Sequence, residues 1–153
     1  MCGDALEVRL MEKVFNLSNT VRWVGDKRYI VSSAGKPDID IATPARFGGR
    51  DDLWSPLDLL IASVNACLLS TFVAVSERLG ARFVSYESEA SGHLEVSGGA
   101  LKFTELVVRP TITVESESDV QKVERAIKAA EEHCPVARSL SVPIRVEPKI
   151  NIR

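Results

Sequence analysis

Over the first third of the chain, apolar and polar residues alternate with the period of two that marks half-buried strands. Val21 and Trp23 alternate with Thr20 and Arg22, so Met11–Trp23 reads as an extended segment. Gly25-Asp26-Lys27 is a turn, and Arg28–Ser33, rich in Tyr, Ile and Val, makes a second strand. Ala34-Gly35-Lys36-Pro37 turns again, and Asp38–Ala42 alternates Asp and Ile as a third strand. Thr43–Trp54 then breaks the pattern with Pro44, Gly48, Gly49, Arg50 and two Asp, and reads as a loop.

The period then changes. Ser55-Pro56-Leu57-Asp58 is a helix start, with Ser at the N-cap, Pro at the first helical position and Asp58 at the positive end of the dipole. The helix is expected to run to Leu79, where Gly80 stops it. At 1.5 Å per residue it is roughly 36 Å long. Leu59–Ser76 holds 18 residues without a charge, the lower limit for a membrane span. Five polar residues interrupt it, Asn65 near the middle, and the flank is a mixed Glu77-Arg78 pair, so a buried soluble helix is the expectation. Because it is apolar nearly all round, burial is expected on every side. A chain of this size has little else to wrap it with, so a second subunit is expected to supply the cover.

Arg82–Val96 and Leu101–Val114 are two long strand-like runs joined at Ser97-Gly98-Gly99, a hairpin. Ser118-Asp119-Val120-Gln121 looks like a capping box opening a second helix, with Val120, Val123, Ile127 and Ala130 on one face and Cys134 continuing that stripe. Pro135 interrupts, Val136–Leu140 allows one more helical turn, and Val142–Ile150 alternates as a final strand. Strands, helix, hairpin, helix, strand is an α+β order in a single domain, 1–153, with 1–12 as a mobile N-terminal segment.

Composition narrows the function. With 19 basic and 21 acidic residues the formal charge is −2, which gives no field to attract nucleic acid or an anionic membrane. Three cysteines are too few for a disulfide scaffold, and an odd number suits a reducing compartment. Met1–Leu10 carries Asp4, Glu7 and Arg9 without an apolar run, so no signal peptide is read there and a cytoplasmic location is expected.

The candidate chemistry is thiol chemistry. Cys67 lies on the helical stripe Leu60, Val64, Cys67, Thr71, and taken alone reads first as a small core residue and only second as a nucleophile. Cys134 precedes Pro135, so it sits where unsatisfied N–H groups of a new turn would favour its thiolate, and Arg138 one turn on could add a charge. A buried cysteine closing the helix, with Arg138 solvated, fits the same residues. Cys2 reads as incidental. The two histidines, His93 and His133, offer no ligand spacing with the cysteines, and no phosphate- or dinucleotide-binding glycine motif occurs. No metal and no cofactor are expected.

Two segments resemble the OsmC/Ohr family of osmotically inducible and organic-hydroperoxide-resistance proteins. Ser55-Pro56-Leu57-Asp58-Leu59-Leu60-Ile61-Ala62-Ser63-Val64-Asn65-Ala66-Cys67 is similar to its first cysteine helix, and His133-Cys134-Pro135-Val136-Ala137-Arg138-Ser139-Leu140 to its second cysteine segment. Val21-Arg22-Trp23-Val24-Gly25 resembles a less characterised branch. The resemblance implies an intertwined homodimer with long central helices packed back to back. It also implies a thiol peroxidase of oxidative stress defence, reducing a small lipophilic hydroperoxide and regenerated by a dithiol reductant. On that reading Cys67 is peroxidatic and Cys134 resolving. The family's Glu, ten residues before the first cysteine, is Leu57 here. The nearby acid is Asp58, about 13 Å along the helix from Cys67. The family's thiolate-holding Arg on the first hairpin has Arg22, Arg28, Arg46 and Arg50 as possible counterparts, with Arg138 as a further support. The competing reading is a non-catalytic dimer that binds a lipophilic ligand or senses redox state.

Overall fold

The computed structural model describes residues 14–153 and divides the chain into two compact units, the first ending at Pro56 and the second spanning Leu57–Arg153. Cys2 and the expected mobile segment 1–12 lie outside the described residues.

The first unit is a three-stranded antiparallel meander, β1 (Thr20–Gly25), β2 (Arg28–Ser32) and β3 (Ile39–Ala42), in the order β1-β2-β3. Extended pairing begins at Thr20; of the segment expected from Met11, residues 11–13 lie outside the described ones and 14–19 are not paired as strand. The Gly25-Asp26-Lys27 turn closes with the Trp23 Nε1–H donating to the Asp26 carbonyl at 2.7 Å. Its burial is confined to one end: Ile41 and Ala42 are buried, and Ala42 N–H donates to the Trp54 carbonyl at 2.9 Å. Trp23 is 67% exposed and Val21 56%. The intervening loop holds one 3-10 turn, Ala45–Phe47.

The second unit opens with α1 (Pro56–Leu79), within the bounds its caps predict. By length and composition α1 could cross a bilayer. Its buried stripe is Val64, Leu68, Phe72 and Ser76, a strict four-residue repeat. That stripe joins Leu106, Val108, Ile112, Val123 and Ile127 in a single core. Burial on every side is not met within one chain: Val73 and Leu79 are 36% and 40% exposed. The expected stripe Leu60, Val64, Cys67, Thr71 keeps Val64, but the buried row continues through Leu68 and Phe72, so Cys67 flanks it rather than lying on it.

β4 (Ser85–Ser97) and β5 (Ala100–Val114) form the long hairpin, paired from Ser85–Thr113 to Ser97–Ala100. Gly98 and Gly99 have φ of 62° and 80°, the two left-handed positions that a tight two-residue turn needs. β6 (Ile144–Val146) and β7 (Lys149–Ile152) both pair β5 in parallel. The single final strand expected over Val142–Ile150 is therefore two, because Pro148 has no N–H to continue the ladder. A parallel return needs a crossover, and α2 (Glu117–His133) with α3 (Pro135–Arg138) supplies it. The cap of α2 is Ser116, two residues before the expected Ser118. Its hydroxyl donates to Asp119 at 2.7 Å, and Arg82 meets the same carboxylate at 3.4 Å.

Candidate active site

α1 and the α2–α3 junction bring Cys67 and Cys134 together. α1 is held by its apolar stripe and by a polar clamp: Asn65 Nδ2 donates to the Ser88 carbonyl at 3.3 Å, while Ser88 Oγ donates to Asn65 Oδ1. This fixes the rotation of α1 against β4 two residues before Cys67. On the other side, Pro135 cannot continue the hydrogen bonding of α2, so the chain leaves the helix at Cys134 with φ −61° and ψ 113° and starts again as α3. Cys134 thus caps the end of one helix and the start of the next. The Arg138 N–H donates to the Cys134 carbonyl at 3.0 Å and closes the turn.

Both thiols are free, and they differ in exposure: Cys67 is half-buried, whereas Cys134 is 1% exposed. Of the two readings of Cys134, a thiolate favoured by the N-terminus of α3 and a buried cysteine closing α2, the burial fits the second. Burial raises the Cys134 pKa most; the Ala137 N–H pulls it back, the nearby Cys67 sulfur raises it again, and the Val136 N–H opposes least.

Beside Cys134 lies a cavity of about 210 Å³. Val64 and Leu68 of α1, Val108 of β5, Val142, and Ile144 and Val146 of β6 make its walls apolar; Ala137 narrows it, and Glu131 and Arg138 bring a charge of each sign. Cys134 is part of the wall. Arg138 is exposed, so it belongs to the cavity mouth. Among the described residues, no group of three or more His, Cys, Asp or Glu side chains is placed to hold a metal.

The remaining candidates are in other places. Arg22 is exposed on β1. Arg28, at the start of β2, forms a two-pronged ion pair with Asp40 of β3, which holds the Asp40 carboxyl below the usual carboxylate range. Arg50 is similarly paired with Asp52, and Arg46 is the middle residue of the 3-10 turn. Asp58 is exposed in the first turn of α1, where it meets the helix dipole, and half-buried Leu57 precedes it.

Residues 49–149 match the family model described as OsmC-like protein, which is two thirds of the chain. The chain belongs to the OsmC-like protein family. Among OsmC-like relatives, the uncharacterised protein YmaD of Bacillus subtilis is 21% identical over 135 residues, covering 86% of this chain and 90% of that one. An OsmC-like protein of unknown function from Vibrio cholerae superposes with a TM-score of 0.79 at 19% identity, over 88% of this chain and 99% of the other. An organic hydroperoxide resistance protein from Elizabethkingia anophelis gives 0.72 at 20% identity, over 94% and 100%. The α+β arrangement of two sheets and two main helices is the OsmC-like fold.

Sequence reasoning missed the Asn65–Ser88 clamp and the cavity. Asn65 carried a signal, since it is a polar residue in an otherwise apolar run just before Cys67. The cavity carried none, because its walls are ordinary strand and helix apolar residues gathered from four elements.

Proposed function

We propose that this OsmC-like protein is a thiol peroxidase that reduces organic hydroperoxides, with Cys67 as the attacking residue and Cys134 as the resolving one. The approach of two free thiols of unequal burial, the inner one raised in pKa by its enclosure, carries this reading. Cys67, the more accessible, attacks the peroxide as a thiolate. The O–O bond breaks, the alkoxide takes a proton and leaves as the alcohol, and Cys67 becomes a sulfenic acid. Cys134, already against it, loses its proton and attacks that sulfur. Hydroxide leaves as water, and the disulfide forms. Two electrons from an external dithiol restore both thiols. A shielded, protonated Cys134 suits this order, because it stays unreactive until its neighbour has become electrophilic. The fold neighbours named for organic hydroperoxide resistance point to the same class of substrate.

The working form in this proposal is a homodimer in the reducing cytoplasm, acting in oxidative stress defence. The exposed apolar residues Val21, Trp23 and Trp54, with Val73 and Leu79 of α1, support a second copy as their cover. The near-neutral charge suits an uncharged lipophilic substrate. Nucleic acid and membrane are not among the partners.

Cumene hydroperoxide consumption with dithiothreitol as donor tests the chemistry. Cys67→Ser should lose turnover by about a hundredfold. Cys134→Ser should consume about one equivalent and then overoxidise. Equal slow rates in wild type and Cys67→Ser would overturn the proposal. The apolar cavity beside Cys134 favours one second reading, a non-catalytic dimer holding a small lipophilic ligand. Native mass spectrometry showing a retained ligand, with both thiols inert to peroxide, would select it.

A further inference from the structure

Helix α1 has to present Cys67 to Cys134 at one angle of roll, and its apolar packing does not choose that angle alone. The buried row Val64, Leu68, Phe72 and Ser76 advances by about 40° at each four-residue step, so it wraps round the helix rather than marking one line. Ile61, Leu69 and Val75 flank the row and pack on the same core. A small roll therefore exchanges one apolar contact for another, because apolar burial has no direction of its own. Ser63, Ala66, Ser70 and Val73 are exposed, so that side sets no angle from within the chain. The directional contact is polar. Asn65 Nδ2 donates to the Ser88 carbonyl at 3.3 Å, and Ser88 Oγ donates to Asn65 Oδ1. The carbonyl is free for this: Ser88 lies opposite Pro110 in the β4–β5 register, and Pro110 has no N–H to give it.

We propose that Asn65 is the positioning residue of the thiol pair, and that its two-point clamp on Ser88 controls closure of the Cys67–Cys134 disulfide. This role rests on the dithiol cycle proposed above and governs its resolving step. Asn65 and Cys67 are two residues apart, about 200° round the same helix, so a roll that loosens the clamp swings Cys67 as well. A side chain ending about 5 Å from the axis sweeps about 2 Å for a roll of about 20°. The Cβ–Cβ window of a disulfide is only about 1 Å wide. Holding the roll keeps Cys67 in range of Cys134; without the clamp the pair spends part of its time out of range. The step favoured is attack of Cys134 on the Cys67 sulfenic sulfur. The S–S bond forms, the S–O bond breaks, and hydroxide leaves as water with the Cys134 proton. Attack of Cys67 on the peroxide needs no second thiol and does not depend on the clamp.

Oxidation by diamide, then equilibration with reduced and oxidised dithiothreitol, measures closure without any peroxide. Asn65→Leu keeps the branching and removes the hydrogen-bonding atoms. It should lower the equilibrium constant for the disulfide about tenfold, or about 30 mV. Ser88→Val should lower it about threefold, while Ser88→Thr, of the same shape with the hydroxyl kept, should stay within about twofold of wild type. Asn65→Leu combined with Ser88→Val should be no worse than Asn65→Leu alone, as for members of one hydrogen-bond network. Val114→Ala is the control, a fully buried residue four positions beyond Pro110 on β5. It should lower the urea midpoint and leave the constant unchanged. In a single peroxide turnover, Asn65→Leu should oxidise Cys67 within about twofold of the wild-type rate. Its sulfenic acid, trapped by dimedone, should persist about tenfold longer.

Wild-type constants in both Asn65→Leu and Ser88→Val would overturn the proposal, and so would an equal fall in Val114→Ala. If Asn65→Leu does not fold, the two Ser88 variants decide, and equal constants for Thr and Val overturn it. A protein inert to peroxide whose disulfide still responds to these changes sinks the peroxidase reading and keeps the clamp. Peroxide turnover without that response sinks the clamp and keeps the reading. Oxidised wild type without a Cys67–Cys134 bond overturns both.

Discussion

The two compact units solve the same problem of covering a sheet by opposite means. In the second unit, β5 is the central strand, and Leu106, Val107 and Val108 are buried in succession. Phe72 of α1 is fully buried there, in ring contact with Phe83 and Tyr86 at 5.0 and 5.2 Å. In the first unit, β1 has no buried residue, and cohesion comes from ladder hydrogen bonds and surface ion pairs such as Arg28–Asp40. A unit of the first kind carries its own stability. One of the second kind contributes little by burial and presents apolar side chains to be covered. Stability and the thiol pair therefore reside in the second unit, and the first is the better candidate for contact with another copy.

This contrast is most easily broken in the core. Phe72→Ala should cost about 3–5 kcal/mol in urea unfolding, as for other large-to-small changes of a fully buried ring. A cost under about 1 kcal/mol would mean that the second unit lacks the independent core described. Gly92→Val comes next. A Cβ at Gly92 would lie 2.6 Å from the Phe103 ring and 2.8 Å from Leu106, so a loss of about 1–3 kcal/mol is expected from the same measurement.

The first unit should behave differently. Trp23→Glu is expected to leave the urea midpoint of dilute protein nearly unchanged, while shifting the mass seen by light scattering from two chains toward one. Unchanged mass would remove β1 from the proposed interface.

Proton linkage separates the units further. The Cys134 pKa is raised in the folded state, so its contribution is fully present below the unfolded thiol value of about 8.5 and is lost as pH rises through the folded value. Stability should therefore fall on the alkaline side, and Cys134→Ala should flatten that limb. Asp119 works in the opposite sense. Ser116 and Arg82 lower its pKa, so its contribution is present above the ordinary Asp value and lost as pH falls. Asp119→Asn should flatten the acid limb. The smallest effect is expected at Asp40→Asn in the first unit, with no measurable change in the midpoint, because the pair it breaks is partly solvated.

Much of this was legible in the chain itself. The Ser55-Pro56 start and Gly80 stop bound α1, and the two glycines after Ser97 place the long hairpin, because both signals are local steric facts. The break of the last strand at Pro148 was equally local and was passed over, since the alternation on either side masked it. The site was legible in part. Cys67 and Cys134 stand out by motif, yet which α1 stripe is buried depends on helix rotation, and that is set by Phe72 packing and the Asn65–Ser88 clamp rather than by spacing.

By itself, then, the sequence determined most of the element order, the α+β class and the two candidate thiols, because these depend on near neighbours in the chain. The tertiary structure alone decided the balance at Cys134. Sequence position puts that thiol at a helix N-terminus, which favours the anion; enclosure among the α1 stripe, β5 and β6 removes water and favours the thiol. Desolvation outweighs the pull of the helix N–H groups, and it comes from residues far away in the chain.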